Sequence, residues 1–267
     1  KKTFESHVLI SGLLLGLGSV FVAQSFGIAW TWYIGIAVFI NLMIVYSMYY
    51  FGFWKTIATV FTSIYFFSFF SLVDYESGLD VLLSKNFNNL KGKRVGLIVN
   101  HTSLSSSGSH LVELMHSNGI DVAAIFTPEH GFKGIVEAGV MVDEGIDPLS
   151  KAPIHSLYGK TRKPTKEMIQ DVDVLIFDIQ DIGARYYTYL STLTLAMGSA
   201  AEANIPFMVL DRMNPLGRKV KGPILDMGFS SFVGMHPIPI RHGLTIGELA
   251  IMINENRWLK NKSSVDL

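Results

Sequence analysis

The chain has 267 residues, no cysteine, and 22 basic against 22 acidic residues, so its formal net charge is zero. The absence of cysteine excludes thiolate catalysis, cysteine zinc sites and disulfide bonds. The charged residues after position 74 are mixed in sign rather than gathered in a basic patch, which argues against a nucleic-acid partner.

The first 75 residues have the composition of a membrane segment. No charged side chain occurs between Val8 and Trp54. Three apolar stretches, residues 8–26, 30–50 and 57–73, are each long enough to cross the hydrocarbon core of a bilayer. This pattern predicts an N-terminal bundle of three transmembrane helices in contact with the lipid bilayer.

Lysines indicate the orientation of these stretches. Lys1 and Lys2 precede the first stretch and Lys55 lies between the second and the third, and basic residues concentrate on the cytoplasmic side of membrane proteins. An odd number of spans then predicts a multi-pass membrane protein whose remaining domain is extracytoplasmic.

After a predicted linker over residues 76–92, short β-branched runs alternate with helical patterns, which is typical of βαβ units in a parallel α/β sheet. The predicted strands are 94–99, 122–126, 154–157, 172–179 and 207–210. The predicted helices are 109–118, 165–170, 189–203 and a last one that follows the capping box of Thr245 and Glu248 and runs to about Asn256. One domain is therefore expected over residues 93–267.

Polar residues follow four of these strands. The segments are 100–102, 127–131, 178–181 and 211–215, which contain carboxylates, amides and imidazoles. Ligands of open α/β sheets bind beyond the carboxyl ends of the strands, so four polar strand ends indicate a functional site at one edge of the sheet.

Several common sites are missing from the sequence. It lacks the glycine-rich dinucleotide motif, the Walker lysine motif and the Gly-x-Ser-x-Gly elbow. His101, His130, His236 and His242 do not show the paired spacing of a zinc helix. A neutral, sugar-like ligand fits better, and neither a cofactor nor a metal is expected.

One run of residues is distinctive. Pro128-Glu129-His130-Gly131 resembles the signature of the exo-β-N-acetylmuramidase family. Further segments similar to that family follow in the same order, at residues 156–159, 163–165, 177–189, 210–215, 231–234 and 241–250. The resemblance covers roughly residues 93–256. Met213 departs from it, because the family usually has proline there.

The resemblance implies a Rossmann-like catalytic domain that is followed in the family by a smaller C-terminal domain. We expect this chain to be a fragment that lacks the C-terminal domain. The implied activity is release of N-acetylmuramic acid from the non-reducing end of peptidoglycan fragments, in cell-wall turnover or recycling. The implied partner is a peptidoglycan-derived glycan with N-acetylmuramic acid at that end.

Glycoside cleavage needs an acid that protonates the leaving oxygen. We predict Glu129 for this role, because partial burial in a strand-end loop would raise its pKa into the working range. Asp181, with Asp178 as its rival, would orient the 2-acetamido group in a substrate-assisted reaction. His130 and His242 are expected to donate hydrogen bonds to the sugar or to Glu129.

N-acetylmuramic acid carries a lactyl carboxylate, which a guanidinium binds through two parallel hydrogen bonds. Arg185 and Arg241 are candidates, unless they form structural salt bridges with carboxylates such as Asp211 or Glu248. For Arg212, a structural salt bridge is the preferred interpretation. The full set of predicted substrate-binding residues is Asn100, Asp178, Gln180, Arg185, Tyr187, Arg241 and His242.

Two other functions use the same residues. A non-catalytic module would bind muropeptides without cleaving them, and turnover distinguishes it from an enzyme. A metal-assisted hydrolase built from the histidines and aspartates would lose activity with a chelator.

Overall fold

The computed structural model describes residues 76–129, 131, 145–159 and 161–267. These residues belong to a compact unit, Glu76–Leu267. The three predicted membrane spans and their lysines lie outside the described residues.

The predicted location, a multi-pass membrane protein with an extracytoplasmic domain, needs correction. Within residues 76–129, 145–159 and 161–267, none of the helices combines the length and the apolar character needed to cross a bilayer. The predicted membrane location and lipid contact are therefore withdrawn.

The core of the unit is a six-stranded sheet in the order β3-β4-β2-β1-β5-β6. All neighbouring strands are parallel except β3, which runs antiparallel to β4. The strands are β1 (Arg94–Val99), β2 (Asp121–Thr127), β3 (Gly145–Ile146), β4 (Pro153–Ser156), β5 (Val174–Asp178) and β6 (Phe207–Val209). The prediction of a parallel α/β sheet is confirmed, with end positions that differ by one or two residues.

Both faces of this sheet are covered, which explains why its strands are almost continuously apolar. The helices are α1 (Gly78–Ser84), α2 (Leu111–Ser117), α3 (Tyr189–Ala203) and α4 (Ile246–Glu255). Helices α3 and α4 pack on one face with Leu175 and Phe177 of β5, while α1 and α2 pack on the other with Val174 and Ile176. The period-two alternation along β5 places these side chains on opposite faces.

Three of the four predicted helices are confirmed, and α3 has the predicted bounds. The predicted helix at 165–170 is wrong, because that segment forms turns. Within this segment the Ile169 amide donates to the Thr165 carbonyl oxygen at 3.3 Å, and the Val172 amide donates to the Ile169 carbonyl oxygen at 3.1 Å. A six-residue segment gains too few hydrogen bonds to offset the cost of helix nucleation.

The structure differs from the sequence prediction in residues 76–92, which were expected to be a linker. Ser77 and Asp80 form a capping box at the start of α1, and Leu79 and Leu82 are buried in the core. The amide of Gly78 donates to the carbonyl oxygen of Asp211 at 2.8 Å. This segment is therefore an integral part of the folded unit.

A small antiparallel pair, β7 (Lys221–Ile224) and β8 (Pro239–Arg241), follows the main sheet. Ala184, in the loop after β5, bridges to Arg241 at the end of β8. This contact places the β7–β8 pair beside the carboxyl ends of the main strands.

Candidate active site

The parallel pairing of β2, β1, β5 and β6 brings the polar strand ends to one edge of the sheet. The register aligns Val99 of β1 with Asp178 of β5, and Phe177 of β5 with Val209 of β6. The residues that follow these strands must therefore share a surface. Hydrogen bonds connect the loops that follow these strands.

Glu129 lies just after β2 and is partly buried. The Thr188 hydroxyl, at the residue before α3, donates to Oε2 of Glu129 at 3.2 Å. Tyr158, just after β4, also hydrogen-bonds to Glu129, and this bond is the main reason why the pKa of the tyrosine is raised. The Thr188 hydroxyl therefore holds the carboxylate, and the Tyr158 phenol interacts with it.

Asn100 lies directly after β1 and is fully buried. Its Oδ1 accepts from the amide and hydroxyl of Thr102 at 2.9 and 2.6 Å. The pKa of the nearby Tyr189 phenol is raised, first by burial and then by its hydrogen bond with Tyr187, while Asn100 opposes the rise. The rings of Tyr187 and Tyr189 meet edge to face, with centres 4.6 Å apart.

Asp181 and His242 form a buried acid–imidazole pair, with exposed fractions of 5% and 3%. Nε2 of His242 lies 3.3 Å from Oδ2 of Asp181, and the Gly183 amide donates to the same oxygen at 2.6 Å. Nδ1 of His242 accepts from the Leu244 amide at 3.3 Å, which leaves Nε2 to carry the proton of a neutral imidazole, although Nε2 makes no hydrogen bond within the described residues. Oδ1 of Asp181 is buried and has no hydrogen-bond partner in the described part of the chain.

Asp178 binds Arg212 through both carboxylate oxygens, at 2.6 Å to Nε and 3.0 Å to Nη2. Burial raises the pKa of Asp178, and the guanidinium opposes that rise. The preferred interpretation of Arg212 as half of a structural salt bridge is confirmed. Asp178 itself is 0% exposed, so the structure gives it no surface for a sugar, in contrast to its predicted substrate contact.

Gln180 connects three strand ends. Its main-chain amide donates to the Thr102 hydroxyl oxygen at 3.0 Å. Its Nε2 donates to the carbonyl oxygens of Asp181 and Met213 at 2.7 and 2.9 Å. Gln180 therefore fixes the loop that contains Asp181.

Arg185 and Arg241 contact main-chain oxygens rather than carboxylates. Nη1 of Arg185 donates to the carbonyl oxygens of Pro223 and Ile238 at 2.9 and 2.5 Å. Nη2 of Arg241 donates to the carbonyl oxygen of Leu216. Neither Arg185 nor Arg241 forms a salt bridge with a carboxylate among the described residues.

His130 lies outside the described residues, so its predicted role stays a prediction. The described residues contain no group of three histidine, aspartate or glutamate side chains arranged to hold a metal ion. His236 is committed elsewhere, because it is buried beside Thr194 and Trp258.

The sequence names Tyr158 as a residue that could stack on the sugar or donate a hydrogen bond, but the end of β4 was not counted among the polar strand ends. Tyr158 lies two residues after β4 and interacts with Glu129. Thr188 was also missed; its signal was a hydroxyl residue immediately before a predicted helix.

A cleft of about 270 Å³ lies away from this site. Ala123, Pro153 and Val172 line it, and these residues lie at the amino ends of β2, β4 and β5. Because parallel strands start at the opposite edge from where they end, this cleft is separate from the polar strand ends.

Comparison with known proteins gives consistent matches. The family described as "Exo-beta-N-acetylmuramidase NamZ, N-terminal" matches residues 95–266. A relative from Bacillus subtilis (strain 168), named peptidoglycan beta-N-acetylmuramidase NamZ, is 50% identical over 182 residues, which cover 67% of this chain and 44% of the relative.

Two crystal structures of DUF1343 family proteins from Bacteroides fragilis NCTC 9343 share the fold. Their TM-scores are 0.66 and 0.62, with 44% and 40% sequence identity. Each match covers 72% of this chain, and 48% and 50% of the two solved chains. The chain thus spans about half the length of the relatives it matches.

Proposed function

The chain belongs to the family described as exo-beta-N-acetylmuramidase NamZ, N-terminal, and from this membership we propose that it acts as a glycoside hydrolase. The proposed reaction releases N-acetylmuramic acid from the non-reducing end of peptidoglycan fragments, in cell-wall turnover or recycling. The proposed catalytic domain covers the predicted residues 93–267 and extends at its amino end to include α1 (Gly78–Ser84), within the unit Glu76–Leu267.

The observation that supports this proposal best is the placement of Glu129. Its carboxylate lies at the carboxyl edge of the sheet, where α/β folds bind ligands; the Thr188 hydroxyl holds it there, and the Tyr158 phenol interacts with it. A general acid must be held within hydrogen-bond reach of the leaving oxygen. Glu129 is the proposed acid.

Asp181 is the proposed partner of Glu129. Its Oδ1 is buried and lacks a hydrogen-bond partner among the described residues, while His242 and Gly183 face Oδ2. A free carboxylate oxygen of this kind can accept the N–H of the 2-acetamido group and orient its carbonyl oxygen toward the anomeric carbon. His242 then serves to position Asp181.

The remaining predicted residues take supporting roles in this proposal. Asn100 and Gln180 hold the loops, and Tyr187 and His130 contact the sugar. Asp178 acts through Arg212 rather than by touching the substrate. Arg185 and Arg241 were predicted to bind the lactyl carboxylate, and their bonds to carbonyl oxygens favour a role in shaping the β7–β8 side of the site.

Glu129→Gln tests the proposal, because this change keeps the size of the side chain and removes the transferable proton. Turnover of an N-acetylmuramic acid glycoside with a poor leaving group should fall by about two to four orders of magnitude, the usual range for acid–base catalysis. A glycoside whose leaving group needs no protonation should recover much of the rate. The measurement is release of N-acetylmuramic acid by the full chain.

Glu167→Gln is the matched control, since Glu167 lines the cleft at the other edge and should not affect turnover. Wild-type turnover in Glu129→Gln on the poor leaving group would refute the assignment. Binding without turnover in the wild-type chain would favour the non-catalytic muropeptide-binding module instead.

A further inference from the structure

Arg162 lies in the loop after β4, which also contains Tyr158. Its guanidinium carbon is 4.4 Å from the centre of the Phe232 ring. Its charge also reaches Tyr158, whose pKa it lowers against the larger rise caused by Glu129. The loop after β4 therefore contains both Tyr158, which interacts with Glu129, and an exposed cation.

Helix α3 holds both Phe232 and the loop that contains Arg162. The Ser191 hydroxyl donates to the carbonyl oxygen of Phe232 at 2.6 Å. The Ser199 hydroxyl donates to the carbonyl oxygen of Pro164 at 2.8 Å, which secures the loop that contains Arg162. The same helix begins next to Thr188, which binds Glu129, so the guanidinium and the acid have one common support.

The hydrogen-bond donors of Arg162 are uncommitted within the part of the chain that the structure describes. The side chain is exposed, and its contact there is the stacking on Phe232. Arg185 and Arg241 instead use donors on main-chain oxygens. A guanidinium stacked on an aromatic ring keeps its edge free for two parallel hydrogen bonds to a carboxylate.

We infer that Arg162 binds the lactyl carboxylate of N-acetylmuramic acid and thereby sets the preference for this sugar over N-acetylglucosamine. The inference rests on the proposed function, because it assigns a specificity residue to the same site. The two sugars differ only in the lactyl ether, so a cation stacked on Phe232 in the loop that contains Tyr158 is the chemistry that distinguishes them.

Calorimetric binding to the full chain tests this assignment with three probes: N-acetylmuramic acid, its lactyl methyl ester and N-acetylglucosamine. Arg162→Gln should weaken N-acetylmuramic acid binding by about 10- to 100-fold, the range for a hydrogen bond to a charged group. Binding of the two uncharged probes should stay unchanged. Arg162→Lys and Phe232→Leu should give intermediate losses, since each retains a cation but loses the stacked fork.

Lys163→Gln is the matched control, because it removes one positive charge from the adjacent residue, which pairs with Glu202 at the surface. It should leave all three affinities unchanged. If Arg162→Gln keeps its preference for N-acetylmuramic acid, or loses affinity equally for all three probes, the role of Arg162 is refuted. The proposed function is unaffected by either result. If the wild-type chain neither binds nor cleaves N-acetylmuramic acid compounds, the proposed function fails, and the inference fails with it.

Discussion

His236 is buried between helix α3 and the segment after α4. Its Nε2 lies 2.8 Å from the hydroxyl of Thr194, and its ring stacks on Trp258 with centres 5.2 Å apart. Burial lowers the pKa of His236 to about 4 from its ordinary value of 6.5. The folded protein therefore holds this imidazole neutral at neutral pH.

The lowered pKa predicts a pH-dependent stability. Between about pH 6.5 and pH 4 the unfolded chain binds a proton at His236 that the folded chain does not, so the free energy of unfolding falls as the pH falls. The loss from pH 7 to pH 4.5 should be about 2 to 3 kcal/mol. Urea denaturation at the two pH values measures this fall in the free energy of unfolding. In His236→Gln, whose side chain does not titrate, the fall should be smaller than in the wild-type chain by the contribution of His236. Equal losses in the two proteins would refute the assignment.

Asp178 and Arg212 illustrate how burial changes the meaning of a charged pair. Both are almost inaccessible, and the pair joins the end of β5 to the loop after β6. Removing one partner of a buried pair leaves an uncompensated charge, whereas exposed pairs such as that of Arg94 and Asp171 contribute little. The buried pair therefore positions the loops of the site.

Helix α4 depends on a cap that joins two elements. Thr245 and Glu248 form the capping box that the sequence predicts. In addition, Asp211 accepts from the Thr245 hydroxyl at 2.8 Å and from the Gly247 amide at 2.7 Å. The carboxylate therefore satisfies the start of α4 and attaches it to the end of β6.

Thr245→Ala should lower the free energy of unfolding by about 1 to 2 kcal/mol, because it removes both the cap and the bond to Asp211. Chemical denaturation checks this value. Ile251→Ala is the control on the same helix, since Ile251 is 51% exposed and its truncation should cost at most about 0.5 kcal/mol. Equal effects of the two changes would mean that the cap does not matter.

On the scale of the whole molecule, one sheet joins two apolar layers, and α1 belongs to one of them. Leu79 and Leu82 of α1 pack with Val95 and Leu97 of β1. Gly78 allows this approach, because a Cβ there would lie 2.4 Å from the Asp211 amide nitrogen. The folded unit thus begins before the first strand.

Leu79→Ala should destabilise the entire unit rather than a local segment. The expected loss is about 2 to 5 kcal/mol, the range for a buried leucine truncated to alanine. Hydrogen exchange of the β1 and β5 amides should accelerate by a matching factor. Val220→Ala, at a position 58% exposed, should leave this exchange unchanged; acceleration confined to α1 would show that α1 is a separate appendage.

The sequence by itself determined the elements whose signals are local. Apolar runs defined β1, β2, β5 and β6, helix α3 followed from its pattern, and the capping box defined the start of α4. Parallel strand order then implied that the strand ends share an edge. The segment at 76–92 was misinterpreted because its few apolar residues gain their stability from the distant β1 and Asp211.

Only the tertiary structure decided which side chain each polar residue meets. Asp178 and Asp181 stand three positions apart in the sequence, yet one binds Arg212 and the other faces His242. The same applies to Arg162, which stacks on the Phe232 ring. Such pairings join residues tens of positions apart, and they depend on how the loops pack, which no local pattern encodes.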